Sequence, residues 1–538
     1  MRVVIVGGGA GGASCAARLR RLDDKAEIII LEKTKENSIA NCAIPYYIGD
    51  VVKDKKDMQA ISKDAFLKMF NVDVRLNKEV IEINPKKKTV TTTDEETISY
   101  DKLVLSVGLT PMIPEISGLE LIPHFPVKTL KDANDIKRFI EKKKPKSVAV
   151  LGGGFIGIEM AENLHNLGLK TSIIDAAQQI LPPVDVDIVY GLQKHIKEKG
   201  INLVLGHGVK EITDGGVVMA SGEFVVADMI ILSLGMYADI EMVKNAKIET
   251  LDNSVLVNEY MQTNFEDIYA CGDSVAVLDI VSGNYKRMGL AGPANRQGRL
   301  IADCIAGEKY PYKGSQGTGI VKVFDMSVAF CGNNEKQLRD EKIEYDKMIV
   351  VGSSHAGYYP NSEQINMKVL YDEDGRILGA QAVGKTGIDK RIDIIASIMR
   401  LNGTVEDLRD AELCYAPPYS GAKDIINLMG MAIQNARQNL VRPYFDNSFD
   451  GFFVVDVRPK EIYNQGHIPF ALNIPFIDLK SRLSEIPKDA RILVHCTIGR
   501  TSYMASRILL ANGFKEVYSY AGGWRQYLWQ EQNPLIAA

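Results

Sequence analysis

The apolar positions of the chain fall in short continuous runs. Arg2–Val6, Ala26–Leu31, Ser147–Leu151, Thr171–Ile174, Phe452–Val455 and Ile492–His495 each read as a strand. Helix-like stretches lie between them: Ala13–Leu22, the segment running to Leu167, and Tyr503–Ala511. Strand, helix and strand in that order predict α/β layers built on parallel sheets. No apolar run approaches the roughly 18 residues that a membrane span needs.

Glycine sharpens this picture. Gly7-x-Gly9-x-x-Gly12 lies between the first strand and the first helix, and Glu32 ends the next strand, 20 residues after Gly12. The arrangement recurs as Gly152-x-Gly154-x-x-Gly157 after Ser147–Leu151, with Asp175 placed 18 residues after Gly157. This is the dinucleotide fingerprint in its required context. The first glycine makes the turn, the second lets the backbone approach a pyrophosphate, and the third lets helix and strand pack closely. The phosphates meet free N–H groups at the helix N-terminus. Two copies mean two nucleotide sites. A carboxylate at Asp175 suits a ribose 2′-hydroxyl, and Ala176-Ala177-Gln178-Gln179 brings no cation to capture a 2′-phosphate. NADH is expected over NADPH.

Composition bounds the rest. The 538 residues suggest three or four domains, and 46% hydrophobic with 25% charged residues is an ordinary globular balance. A net charge of −4 argues against nucleic acid or an anionic membrane as partner. The basic runs Lys86–Lys88 and Lys142–Lys144 read as solvated turn or helix-end charges. The N-terminal apolar run is too short for a signal-peptide core, so a cytoplasmic location is expected. Seven scattered cysteines form neither a disulfide framework nor a zinc motif, and no metal is expected.

One cysteine stands in a telling place. In Ser38-Ile39-Ala40-Asn41-Cys42-Ala43-Ile44-Pro45-Tyr46-Tyr47-Ile48-Gly49, Pro45 is tolerable only in the first turn of a helix. Cys42 then lies at or just before that helix, where a thiolate is stabilised and its pKa falls below the usual ~8.5. A small buried cysteine is the competing reading, and these residues alone leave both open.

Thr263-Asn264-Phe265-Glu266-Asp267-Ile268-Tyr269-Ala270-Cys271-Gly272-Asp273 resembles the second FAD motif of the pyridine-nucleotide disulfide oxidoreductase family. Leu103–Gly108 resembles the strand and glycine turn that leave its FAD domain. Ser38–Gly49 resembles the active-site segment of the single-cysteine branch, that of coenzyme A-disulfide reductases. Tyr47 stands where two-cysteine members carry their second thiol, so the resemblance implies that Cys42 finds its redox partner outside. Ala10 stands where the peroxidases and oxidases of this branch carry His, which turns the reading away from peroxide or oxygen. Ser354–Pro360 and Leu413–Tyr419 resemble dimerisation-domain stretches whose tyrosines reach the partner's cysteine. This favours Tyr415, then Tyr358 or Tyr359. The resemblance implies FAD at Gly7, Gly9, Gly12, Glu32, Ser38, Val80, Gly108 and Asp273, and NADH at Gly152, Gly154, Ile156, Gly157, Glu159, Asp175 and Gly235. Coenzyme A needs cations, for which Arg18, Arg21, Lys68 and Arg75 are candidates; each also reads as a surface charge.

Arg442–Ser448 reads as a polar connector. Beyond it, Asp456-Val457-Arg458-Pro459, Gly466-His467-Ile468-Pro469-Phe470-Ala471 and Gly522-Gly523-Trp524 resemble the rhodanese domain. Cys496-Thr497-Ile498-Gly499-Arg500-Thr501-Ser502 is the corresponding loop. A loop between strand and helix can aim successive N–H groups inward as an anion nest. That nest would stabilise a Cys496 persulfide, with Arg500 adding positive charge, while His467 reads as structural.

The expectation is therefore an α/β chain with two Rossmann-like nucleotide-binding domains (FAD and NAD), an α+β dimerisation domain and a C-terminal α/β rhodanese domain. The spans are 1–112 and 241–318 for FAD, 113–240 for NAD, 319–440 for dimerisation and 448–538 for rhodanese. The function implied is a homodimeric NADH-dependent flavoenzyme that reduces coenzyme A disulfide, coenzyme A persulfide or polysulfide through Cys42, with sulfane sulfur carried on Cys496. The alternatives are an NADH oxidase or peroxidase with an accessory sulfurtransferase domain, and a persulfide carrier or redox sensor.

Overall fold

The computed structural model describes residues 1–531. The chain divides into two compact units, one made of residues 1–180 and 200–317, the other of residues 181–199 and 318 onward.

The first unit holds both nucleotide folds. Strand β1 (Arg2–Val6), helix α1 (Ala10–Leu22) and strand β2 (Glu27–Glu32) open a five-stranded parallel sheet. Its order is Ile268–Ala270, Lys102–Leu105, β1, β2, Asp73–Leu76. Val3–Val6 and Ile28–Leu31 are buried in one core with Cys15, Ala16 and Leu19 of α1 and with Ile83, Val90 and Ile98 of a three-stranded antiparallel sheet, which explains why these strands read as apolar runs without alternation. Small residues let α1 lie close to helix Ala291–Ile305: a Cβ on Gly298 would sit 2.1 Å from the Gly11 carbonyl oxygen. A short helix, α2 (Ile44–Ile48), follows β2. The second parallel sheet is built on β3 (Ser147–Leu151), α3 (Phe155–Asn166) and β4 (Lys170–Asp175), in the order Asn202–Leu205, β4, β3, Met229–Leu232, His124–Pro126.

One helix departs from the expected division. Helix α4 (Val186–Glu198) lies inside the expected NAD span 113–240, yet it packs with the second unit. There it meets a five-stranded antiparallel sheet that includes Gln364–Tyr371 and Ile377–Gly384. Lys368, fully buried, joins both carboxylate oxygens of Asp187 at 2.8 Å and also pairs with Asp185 and Glu335. Those three acids form the one cluster among the described residues with metal-ligand spacing. The Lys368 ammonium already sits among them.

The remaining sheet is parallel, with the order Arg442–Tyr444, Val517–Tyr520, Arg491–His495, Phe452–Asp456, Leu472–Asn473. In chain order we label Arg491–His495 β5, helix Arg500–Ala511 α5, Val517–Tyr520 β6 and helix Gly523–Glu531 α6. Arg442–Tyr444 corrects the expected connector at 442–448: it is an edge strand paired with β6. Pro443 is tolerated because an edge leaves one side of the strand without a ladder. Val455, Ile492 and Val494 pack to one face of the sheet, Val454 and Leu493 to the other.

Candidate active sites

The two fingerprint turns are built alike. Gly7 has φ +99° and Gly152 φ +107°, and a Cβ on either would lie 2.2 or 2.3 Å from the carbonyl oxygen of Ser106 or Ser233. A Cβ on Gly12 would lie 2.0 Å from the Gly7 oxygen, and one on Gly157 1.9 Å from the Gly152 oxygen. The middle glycines, Gly9 and Gly154, face open space and head α1 and α3 without a side-chain cap. Free helix N–H groups beside open space are what a pyrophosphate requires. Glu32 Oε2 accepts the Gly8 N–H at 2.8 Å, and Asp175 Oδ2 accepts the Gly153 N–H at 2.6 Å. Each acid is thereby held at the lip of its turn. Gly108 and Gly235 are left-handed and open. Ile156 is half-buried on α3, while the Val80 side chain belongs to the core and leaves only its backbone for a cofactor. Asp273 follows strand Ile268–Ala270; burial pushes its carboxyl up, against the pull of Lys128 and Arg287.

The cysteine segment is fastened to the first turn. The Ser38 N–H donates to the Gly8 carbonyl at 2.9 Å and its hydroxyl to the same oxygen at 3.2 Å. Asn41–Ala43 forms a 3₁₀ turn leading into α2, with Pro45 in the first helical turn as expected. Cys42 is exposed there, so the buried-cysteine reading falls away. Tyr47 is buried in the place of a second thiol, its hydroxyl on Asn134 Oδ1 at 3.3 Å. Tyr46 donates to Glu159 Oε1 of α3 at 3.1 Å, and a Cβ on Gly49 would lie 2.1 Å from Asn163 Oδ1. The cysteine helix is thus braced on the helix of the second fingerprint.

The expected depression of the Cys42 pKa is not found. Desolvation, then Glu159 and Asp273, push the thiol up, and Lys128 opposes them. Desolvation is the largest of these, and the two carboxylates add to it. Helix α2 has five residues, too few for a dipole that could offset two acids. The Glu159 carboxyl is itself raised by burial and by Glu162, while the Tyr46 bond pulls it down.

Among the tyrosines, the structure brings Tyr358 and Tyr415 together, hydroxyl to hydroxyl at 3.4 Å, both exposed. Tyr359 points elsewhere, its ring edge-on to His355 at 5.7 Å. Of the four cations, Arg18 is paired with Asp303 at 2.7 Å and Arg75 with Asp73 and Glu96. Those partners compete with any phosphate. Arg21 and Lys68 are exposed.

In the second unit, Cys496 follows β5 and is nearly buried, at 4% exposure. The Gly499 N–H donates to its sulfur at 3.2 Å, Gly499 being left-handed at φ +96°. The paired glycines are explained from beneath. A Cβ on Gly523 would lie 2.5 Å from the Cys496 carbonyl oxygen, which accepts the Trp524 N–H at 2.7 Å. Arg458 lies over the Trp524 ring and is locked to buried Asp456. Arg500 is exposed at the head of α5, and the His467 ring stacks on Tyr463 at 3.8 Å.

The profile for "Pyridine nucleotide-disulphide oxidoreductase" matches residues 1–298, and that family's dimerisation domain matches 318–425. The chain belongs to this family. A rhodanese-like domain matches residues 440–529. Coenzyme A disulfide reductase from Staphylococcus epidermidis is 35% identical over 451 residues, covering 80% of this chain and all of that protein. The crystal structure of reduced CoADR-RHD from Bacillus anthracis shares 40% identity with a TM-score of 0.96 and covers 98% of both chains. A NAD-dependent persulfide reductase from A. fulgidus shares 32% with a TM-score of 0.94, covering 98% of this chain and 100% of that one.

Members of the pyridine nucleotide-disulphide oxidoreductase family work with FAD and a pyridine nucleotide, and the two open fingerprint turns fit both. The family pattern also frames what sequence reasoning missed. Tyr46 stands four residues after Cys42, a spacing that puts it one helical turn on, but its partner Glu159 is 113 residues away. Lys128 carries no local signal at all. Among the described residues, no helix is long and apolar enough to cross a membrane.

Proposed function

We propose that this chain uses NADH to reduce the sulfur–sulfur bond of coenzyme A disulfide, coenzyme A persulfide or polysulfide at Cys42, while Cys496 carries sulfane sulfur as a persulfide. The observation that supports it most is Tyr47 buried where a second thiol would stand, beside an exposed Cys42. A lone exposed thiol needs an external sulfur partner. Gly7, Gly9, Gly12, Glu32, Ser38, Gly108 and Asp273 would hold FAD, and Gly152, Gly154, Gly157, Asp175 and Gly235 would hold NADH, with Ile156 and Glu159 beside it. Bound FAD supplies two-electron transfer between nicotinamide and sulfur.

Cys42 loses its proton and attacks one sulfur of the acceptor. The sulfur–sulfur bond breaks, and the far sulfur leaves as thiolate or hydrosulfide. Two electrons drawn from NADH then cleave the new disulfide on Cys42, releasing the second product and restoring the thiolate. In a homodimer, the Tyr358–Tyr415 pair of the other subunit donates a hydrogen bond to the leaving sulfur. Arg21 and Lys68 are the cations best available to coenzyme A phosphates. The anion nest at Cys496 fits a persulfide that feeds coenzyme A thiol or Cys42.

Steady-state NADH oxidation with oxygen alone, coenzyme A disulfide and coenzyme A persulfide tests this in wild type, Cys42→Ser and Cys496→Ser. Cys42→Ser should abolish all thiol-dependent turnover. Cys496→Ser should spare coenzyme A disulfide and impair larger sulfane-sulfur donors. Oxygen-driven turnover that dominates and survives Cys42→Ser would overturn the reading.

A further inference from the structure

Behind Cys496 lies a short chain of buried hydroxyl groups. Ser502, on the first turn of α5, is fully buried, and its Oγ stands 3.7 Å from the Cys496 sulfur. It donates to the Gly499 carbonyl at 2.9 Å and accepts a hydrogen from Ser519 Oγ at 3.0 Å. Ser519 lies on β6 and is 8% exposed. Val494, Ala505 and Leu509 belong to the same core as Cys496. Burying hydroxyls among such residues is unfavourable unless every one is used.

The hydrogen-bond count favours a two-position group. A serine hydroxyl has one hydrogen and two acceptor sites. With Cys496 as a thiol, its S–H and the Ser519 O–H fill both acceptor sites of Ser502, whose own hydrogen goes to Gly499. When the sulfur becomes a thiolate or persulfide anion, it can only accept. The Ser502 hydrogen can then swing from Gly499 to the sulfur. Little opposes the change, because the Gly499 carbonyl also accepts the Tyr503 N–H at 3.2 Å.

We propose that Ser502 is a catalytic residue of the Cys496 loop, a hydroxyl that accepts from the thiol and donates to its anion, and that Ser519 is the positioning residue that orients it. This deepens the reading of Cys496 as a sulfur carrier and rests on it for its purpose, not for its geometry. The thiol proton leaves to a solvent base. The charged groups around the loop are Arg500 at the head of α5, the Asp456–Arg458 pair and Arg525 on α6; His495, whose pKa burial lowers to about 4, is neutral at neutral pH. The serine substitutions change none of them.

The test is alkylation of Cys496 by iodoacetamide in the full-length holoenzyme across pH, read on its own peptide by mass spectrometry. Ser502→Ala should slow the reaction at neutral pH about tenfold and move its profile to higher pH, since a hydrogen bond to a charged group is worth that much. Ser519→Ala should shift it the same way by less, and Ser502→Thr should restore most of the rate. Ser506→Ala is the control: it removes a buried hydroxyl of α5 that has no partner, and the profile should not move. Wild-type profiles in Ser502→Ala and Ser519→Ala, or an equal shift in Ser506→Ala, would overturn the proposal. A cysteine that shows these shifts yet never acquires sulfane sulfur from a donor would leave the hydroxyl pair standing and remove the carrier function instead.

Discussion

Tyr46 gives its phenolic hydrogen to Glu159 across 3.1 Å, from the cysteine helix to the helix of the second fingerprint. One bond therefore joins the residue four places after Cys42 to the carboxylate that most disfavours the Cys42 thiolate. Tyr46→Phe should cost about 1 kcal/mol of stability, the usual net worth of such a bond. The Glu159 carboxyl is raised in the folded protein, so its stabilising contribution is present in acid and is lost as pH rises through the raised value. Tyr46 moderates that loss by favouring the carboxylate. Urea denaturation should therefore show a larger deficit at pH 7 than at pH 4.5.

Opposed charges set the reactivity of Cys42, so two substitutions should move it in opposite directions. Lys128→Gln removes the cation that pulls the thiol down, and Glu159→Gln removes the first carboxylate that pushes it up. Alkylation of the Cys42 peptide at pH 7.5 should slow several-fold in the first and quicken in the second. Identical rates in both variants would show that neither charge reaches the sulfur.

Gly523 should be intolerant of any side chain. Its φ is +60°, and a Cβ would meet the Cys496 oxygen at 2.5 Å and the Ile498 nitrogen at 2.8 Å. Gly523→Ala should lower stability by roughly 1–3 kcal/mol through strain and misplace the loop. Sulfur uptake at Cys496 should fall, while NADH-dependent reduction of coenzyme A disulfide continues. Both activities can be followed on one preparation.

Lys368→Met removes the one ammonium among the described residues that pairs with Asp185 and Asp187 in the buried cluster. Stranding buried carboxylates in this way costs about 3–5 kcal/mol. Burial works against the Glu335 carboxylate, but Lys368 and Lys347 hold its pKa down to about 2. A carboxyl depressed in the folded state stabilises above the ordinary carboxylate range and loses that contribution as pH falls toward the depressed value. The deficit of the variant should thus be full at pH 7 and shrink toward pH 3 in chemical denaturation.

Much of this molecule could be read in its residues because local chemistry dictates it. Gly7, Gly12, Gly152 and Gly157 are glycines because backbone oxygens occupy the space of a Cβ, so the pattern is strict and recognisable. Pro45 placed Cys42 at a helix start for the same kind of reason. The features that sequence reading missed depend on long-range neighbours. Glu159 and Asp273 are legible as cofactor residues, but that their charges add to desolvation in pushing up the Cys42 thiol depends on positions far along the chain. Tyr358 and Tyr359 are adjacent and chemically alike, and only the fold decides which one meets Tyr415. Pro443 spoke against a strand, since a single sequence does not tell an edge from a centre.

Helix α4 bears on how such a chain can be divided. By connectivity it belongs to the nucleotide-binding half, between β4 and strand Asn202–Leu205. Its Asp187 binds buried Lys368, its Asp187 carbonyl accepts from Gln526 of α6, and its Gly191 lies under Trp529. Ending the chain at residue 317 would leave α4 with an apolar surface and two acids that have lost their cation. Residues 1–317 are therefore not a separable piece of this chain, because one of their helices packs in the core of the second unit. A cut or insertion within residues 181–199 would take a helix out of the second unit's core, so that segment should tolerate such changes least, although it sits in the middle of a nucleotide-binding sequence.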